Sequence, residues 1–103
     1  MRYQIKDLKP DSSQVDIAVK LIAQFNPRQA RGHIIVTFMT ADPTGRIAIP
    51  FWDRDAEEVK AGDYIEIQNG YIRVFRDQME LNIGKYGSFR HIEPPQEFIE
   101  QGL

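Results

Sequence analysis

From Val15 to Phe25 the odd positions are apolar (Val15, Ile17, Val19, Leu21, Ala23, Phe25), and Asp16, Lys20 and Gln24 alternate with them. A period of two puts one face of an extended chain on a core and the other in solvent, so this stretch is a first, half-buried strand. Asn26-Pro27-Arg28-Gln29-Ala30-Arg31-Gly32 breaks the alternation with turn formers and two arginines and predicts a loop. The β-branched and aromatic run His33 to Ala41 predicts a second strand, with apolar residues on both parities that leave its faces unassigned. Asp42-Pro43-Thr44-Gly45 has the chemistry of a tight hairpin, because proline fixes one φ and glycine supplies the permissive one.

In the third strand, Arg46 to Trp52, Ile47, Ile49 and Phe51 share the inner face and Ala48, Pro50 and Trp52 the other. Asp53 to Lys60 predicts a short helix capped by Asp53 or Asp55, with an acidic first turn that suits the helix dipole. The fourth strand starts with Ile65 and Ile67 inward, but beyond Gly70 the aliphatic residues are Ile72 and Val74, so the apolar parity has switched. One inserted residue reverses every later side chain, and a bulge near Asn69-Gly70 accounts for the switch. Tyr71, Arg73 and Phe75 then share the face opposite Ile72 and Val74. Arg76-Asp77-Gln78 turns the chain, and Met79, Leu81 and Ile83 supply the inner face of a fifth strand. Three strands, a short helix and two more strands form the order of an all-β, five-stranded OB-fold barrel. An SH3-like barrel is the competitor, and the helix between strands three and four favours the OB-fold.

The length of 103 residues, with 42% hydrophobic and 27% charged residues, sets the expectation of one globular core. The domain is expected over 1–93, with a short C-terminal tail over 94–103 that begins at Pro94-Pro95. Cysteine is absent, which excludes disulfides, thiolate metal sites and a cysteine nucleophile. No apolar run approaches the ~20 residues that span a bilayer, and Met1 to Asp7 lacks the apolar stretch of a signal peptide. The expected location is therefore the cytoplasm. A net charge of −2 argues at first against a phosphate-rich partner. Yet the acidic residues gather in Asp53 to Asp63 and Glu93 to Glu100, whereas Arg28, Arg31, Arg73, Arg76, Lys85 and Arg90 fall elsewhere. A basic groove on an acidic body is compatible with that distribution.

With Ile47, Ile49 and Phe51 inward, Trp52 points outward, as do Tyr71 and Phe75 after the bulge. Stacking a base on such a ring is worth ~1–3 kcal/mol, and Arg73, between two of the rings, can pair with phosphate or stack. The plainer alternative is that these aromatics cap the barrel or cover a flank. Arg28 and Arg31 lie in the first loop, one of the ligand loops of this fold, although most loop arginines are simply solvated. His33 and His91 lack any ligand spacing, and Gly84-Lys85-Tyr86-Gly87 lacks the phosphate-loop pattern. Glu57 and Glu58 are adjacent on the helix and diverge. No enzyme, metal or cofactor is expected.

The ordered set Ile5-Lys6-Asp7-Leu8-Lys9-Pro10, Asp42-Pro43-Thr44-Gly45-Arg46-Ile47, Trp52, Gly62-Asp63-Tyr64-Ile65, Asn69-Gly70-Tyr71, Phe75 and Leu81-Asn82-Ile83-Gly84 resembles the short archaeal single-stranded DNA-binding proteins. These are replication protein A-like and related to the B subunits of the SOSS complex. The SOSS branch carries a further aromatic where this chain has Asn82, so the archaeal branch is the closer resemblance. The resemblance implies base stacking on Trp52, Tyr71 and Phe75, with phosphates near Arg28, Arg31, Arg73, Arg76 and Lys85. It also implies non-specific binding of single-stranded DNA in replication, recombination and repair, a nucleoid-associated location, and replication or repair proteins as partners. A monomer is expected. Single-stranded RNA, or a partner protein docked on the same aromatics, are the alternatives. Archaeal members often continue into a charged tail; here Gln96 to Leu103 follows the prolines, and Phe98 and Ile99 are expected to pack against the barrel rather than to serve as a docking peptide.

Overall fold

The computed structural model describes residues 2–103. Its elements are β1 (Arg2–Tyr3), a 3-10 turn (Ile5–Asp7), β2 (Val15–Gln24), β3 (Arg28–Ala30), β4 (His33–Asp42), β5 (Gly45–Trp52), α1 (Arg54–Glu57), β6 (Tyr64–Phe75), β7 (Gln78–Asn82), β8 (Ser88–His91) and α2 (Gln96–Glu100). β2 pairs antiparallel with β4 on one side and β6 on the other. β4 pairs with β5, β5 runs parallel to β7, and β7 returns antiparallel to β6. The ring β2-β4-β5-β7-β6 therefore closes on β2, and the expected five-stranded OB barrel is present with its helix between the third and fourth ring strands.

The barrel interior is filled from alternate positions of all five strands. Val15, Ile17, Val19 and Leu21 meet Val36 and Phe38, then Ile47, Ile49 and Phe51, then Ile65, Ile67, Ile72 and Leu81. Ile5 and Leu8 from the N-terminal segment and Val59 add to this cluster. The 3-10 turn is tied to the β4–β5 hairpin, where Ile5 N–H donates to Asp42 Oδ2 (2.8 Å) and Lys6 N–H to Thr44 Oγ1 (3.0 Å). The one buried hydroxyl of β4, on Thr40, donates to the Ile47 carbonyl at 2.7 Å and so is satisfied without water.

Two bulges decide which side chains leave the core. On β6, Val15 faces Gly70 while Ile17 faces Ile67, so two steps of β2 span three of β6; Asn69 sits at φ 59°. This is the bulge that the parity switch predicts, and after it Ile72 is buried and Tyr71 and Arg73 are exposed. Val74, expected inward with Ile72, is instead 49% exposed, because it pairs with Met79 beside the β6–β7 turn, where the hairpin runs past the core. The second bulge corrects an expectation. Alternation along Val15 to Phe25 predicts Ala23 and Phe25 inward with Leu21, but Leu21 faces Thr40 and Ala23 faces Met39, leaving Ile22 as an extra residue. Ala23 and Phe25 are thereby turned to the outside, and Phe25 is 47% exposed.

The segment 26–32, expected as a loop, folds into a hairpin. β3 pairs with β4 so that Ala30 faces His33, and Arg31 (φ 54°) and Gly32 (φ 83°) form the two-residue turn, both in the left-handed region that such hairpins require. The helix expected over 53–60 is confined to Arg54–Glu57, and Asp53 does not cap it through its side chain. That carboxylate accepts instead from Ile34 N–H (2.9 Å) and sits 2.6 Å from His33 Nδ1, so it bridges to β4 and is unavailable to the helix.

Beyond the ring, β8 pairs with the first half of β6. The 9%-exposed Glu66 side chain on β6 joins Arg2 of β1 to Arg90 of β8, whose Nε and Nη2 lie 2.9 and 2.8 Å from its Oε1. After Pro94-Pro95, α2 buries Phe98 against Tyr64, ring centroids 6.1 Å apart, and Tyr64 Oη donates to the Leu103 carbonyl at 2.7 Å. Phe98 packs as expected, whereas Ile99 remains exposed.

Candidate nucleic-acid interface

The strand registers place one outer face across four strands. Ile35 faces Trp52 and Thr37 faces Pro50 between β4 and β5; Tyr71 faces Asn82, Arg73 faces Glu80 and Phe75 faces Gln78 between β6 and β7. Ala48 and Glu80 join the two hairpins across the parallel β5–β7 pair. Because inner and outer side chains alternate, the residues that fill the core fix the positions of those that leave it.

Trp52 and Tyr71 are exposed by 41% and 40%, and together with Arg73, Asn82, Gly84 and Lys85 they surround a depression. A second depression continues it on the other side of Trp52 and Arg73, walled by Arg28, Arg31, His33 and Phe75. Arg76 lies beyond Phe75. Seven of the eight residues expected at the site thus line these two joined depressions, and Arg76 stands outside them, against the Phe75 ring. Phe75 is half-buried, and the guanidinium carbons of Arg28 and Arg76 stand 5.3 and 5.1 Å from its ring centroid. Both cations lie over the ring, so it is partly covered by them in this structure.

Each aromatic is braced. His33 meets Trp52 edge-on at 5.4 Å and is itself held by Asp53. The Ile34 N–H, then His33, hold the Asp53 carboxyl below its ordinary range. The Tyr71 ring lies directly on the backbone of Gly84, where a Cβ would come within 2.6 Å of Cε1. Gly84 also sits at φ 73°, so the position favours glycine for two independent reasons.

Among the described residues, none of Arg28, Arg31, Arg73, Arg76 and Lys85 takes part in an ion pair, so their charges are available to an anion. Asp55 and Glu80 also border the trough. Burial, reinforced by Glu58, raises the Asp55 carboxyl above its ordinary value. Among the described residues no group of three His, Cys, Asp or Glu side chains is placed to hold a metal ion, and no helix is long and apolar enough to cross a membrane.

Residue patterns alone did not place Asn82, Gly84, His33 or Phe25 at this face. Asn82 follows from the hairpin register once the turn is restricted to Arg76-Asp77. Gly84 and His33 act through contacts with Tyr71 and Trp52 that no sequence spacing encodes.

A closed OB barrel carrying an aromatic and basic trough on one face is a fold of nucleic-acid-binding modules. Residues 8–91 match the family described as single-stranded DNA binding protein Ssb-like, OB fold, and the chain belongs to that family. It is 27% identical over 88 residues to the single-stranded DNA binding protein Ssb of Saccharolobus solfataricus, covering 82% of this chain and 60% of that one. It is 28% identical over 102 residues to replication factor A of Methanothermobacter thermautotrophicus, covering 94% of this chain but 13% of that one. The chain thus spans less than two thirds of either relative. Among solved structures, a domain of replication protein A from Methanococcus maripaludis superposes with a TM-score of 0.74 at 25% identity, covering 90% of this chain and 97% of that one. A crystal structure of fission yeast Pot1 with single-stranded DNA superposes at 0.78, covering 99% of this chain and 43% of that one; at 12% identity that likeness concerns the fold alone. The resemblance to archaeal single-stranded DNA-binding proteins is borne out.

Proposed function

We propose that this chain binds single-stranded DNA in the trough, with little sequence preference and without catalysing a reaction. Bases stack on Trp52, Tyr71 and Phe75, and phosphates are met by Arg28, Arg31, Arg73, Arg76 and Lys85. The observation that carries this reading is the placement of Trp52 and Tyr71 around Arg73 on one outer face. Exposed rings of this size gain most by covering an aromatic ligand, and every base offers a stacking face. In the cell, such a module would hold exposed strands unpaired on the nucleoid during replication, recombination and repair, alongside proteins of those processes.

The sole tryptophan supplies the test. Trp52 fluorescence is followed while a thymine oligonucleotide is titrated at low and then at higher salt. Saturable quenching that weakens with salt is expected, log affinity falling by ~0.7 per phosphate contact for each tenfold rise in salt. Absence of binding at low salt would sink the reading. Competition with a matched RNA oligonucleotide is expected to displace the DNA only weakly; equal competition would make single-stranded RNA an equal ligand.

A further inference from the structure

We infer that the trough carries a further nucleobase site beyond Phe75, in a groove of about 530 Å³ between Phe75 and Phe25. The inference rests on the single-stranded DNA reading above and extends it. Phe25 reaches this place because the extra residue Ile22 reverses the last part of β2, turning an aromatic that the alternation assigns to the core onto the outer face. Its backbone N–H donates to the Thr37 carbonyl at 2.9 Å, which continues the β2–β4 pairing and fixes the ring beside the trough.

Met39, Ala48 and Met79 also line the groove, so Phe25 and Phe75 border a lining in which apolar area predominates. A thioether is polarisable and suits an aromatic ring laid against it. At the rim Arg46 and Arg76 are matched by Asp77 and Glu80, so the formal charge there cancels. A neutral base fits such a pocket better than a phosphate does. Phe75 belongs both to this groove and to the second depression, which makes the two continuous. The occupant that this continuity selects is the next base of the same strand. The rings then run in the order Tyr71, Trp52, Phe75, Phe25.

The test measures binding of end-labelled oligothymidylates from about 4 to about 16 nucleotides by fluorescence anisotropy. Wild type, Phe25→Ala, Phe25→Trp and Trp52→Ala are compared. Phe25→Ala is expected to leave the shortest oligonucleotides unaffected and to weaken the longer ones about tenfold, within the range of one stacked base. Phe25→Trp restores the loss, which a folding defect would not allow. If Phe25→Ala matches wild type at every length while Trp52→Ala weakens binding, the inference fails and the parent reading stands; the groove is then free for an apolar side chain of a protein. Equal weakening at all lengths would also overturn it. If wild type binds no oligonucleotide, the parent reading fails and takes this one with it.

Discussion

Arg76 occupies the first central position of a two-residue turn at φ 52°, and Asp77 follows at φ 63°. An L-residue in that region costs roughly 1–2 kcal/mol, and asparagine is the side chain that tolerates it best in this type of hairpin. Strain of this kind persists where the side chain has a use, and here the guanidinium lies 5.1 Å from the Phe75 ring at the trough. Arg76→Asn is therefore expected to raise Tm by about 4 °C, roughly what 1 kcal/mol does at this chain length. It is also expected to lower the salt slope of DNA binding by about 0.7. Thermal denaturation and a salt titration on the same variant check both; a fall in Tm would remove the strain argument. The placement of Trp52, Tyr71 and Phe75 was legible in the sequence through parity alone. Phe25 was not, because Ile22 is an ordinary strand residue, whereas Asn69-Gly70 marks its bulge with two turn formers.

At the scale of elements, the five ring strands were readable because each keeps a period of two or ends in turn chemistry. β1, β3 and β8 have two to four residues, too few to display a period, and they exist because longer strands offer them edges. The helix was over-extended at its C-terminal end: Glu58 closes it, and Lys60 N–H donates to Asp63 Oδ2 rather than into a helical turn. One of these added strands, β8, is tied in by charge. Hydrogen bonds from Arg90, assisted by Arg2, hold the Glu66 carboxyl below its usual range and outweigh the burial that opposes them. A carboxyl whose pKa is depressed on folding contributes stability that is complete above its unfolded value, near 4.5, and is lost as pH falls through the lower folded value. Glu66→Gln should therefore lower Tm at neutral pH by about 5 °C, and the gap to wild type should narrow below about pH 4.5. Denaturation scans from neutral to acidic pH on both proteins read this directly. A gap that stays constant down to pH 3 would show that the clip is not ionic.

Across the whole molecule, stability and binding draw on opposite faces of the same strands, so they can be perturbed separately. β6 shows this along its length: Tyr64 at its start supports α2, whereas Tyr71 to Phe75 at its end form the trough. Seven residues of strand put these regions about 23 Å apart. Charge follows the same division only in part. Glu97 and Glu100 stand on α2, away from the trough, whereas Asp55 and Glu80 border it and are outnumbered there by Arg28, Arg31, Arg73 and Lys85, so a chain of net charge −2 still presents a basic face. Phe98, 3% exposed, is the side chain by which α2 holds to the barrel. Truncating a buried phenylalanine costs about 3–5 kcal/mol, so Phe98→Ala should lower Tm by more than about 10 °C. Oligonucleotide affinity, measured well below that Tm, should match wild type, because Phe98 packs on Tyr64 at the opposite end of β6 from the trough. Thermal denaturation followed by anisotropy titration of one preparation gives both numbers. A tenfold loss of affinity in that variant would mean that the C-terminal helix is coupled to the trough through β6, and that residues 94–103 belong to the binding module rather than to a tail beside it.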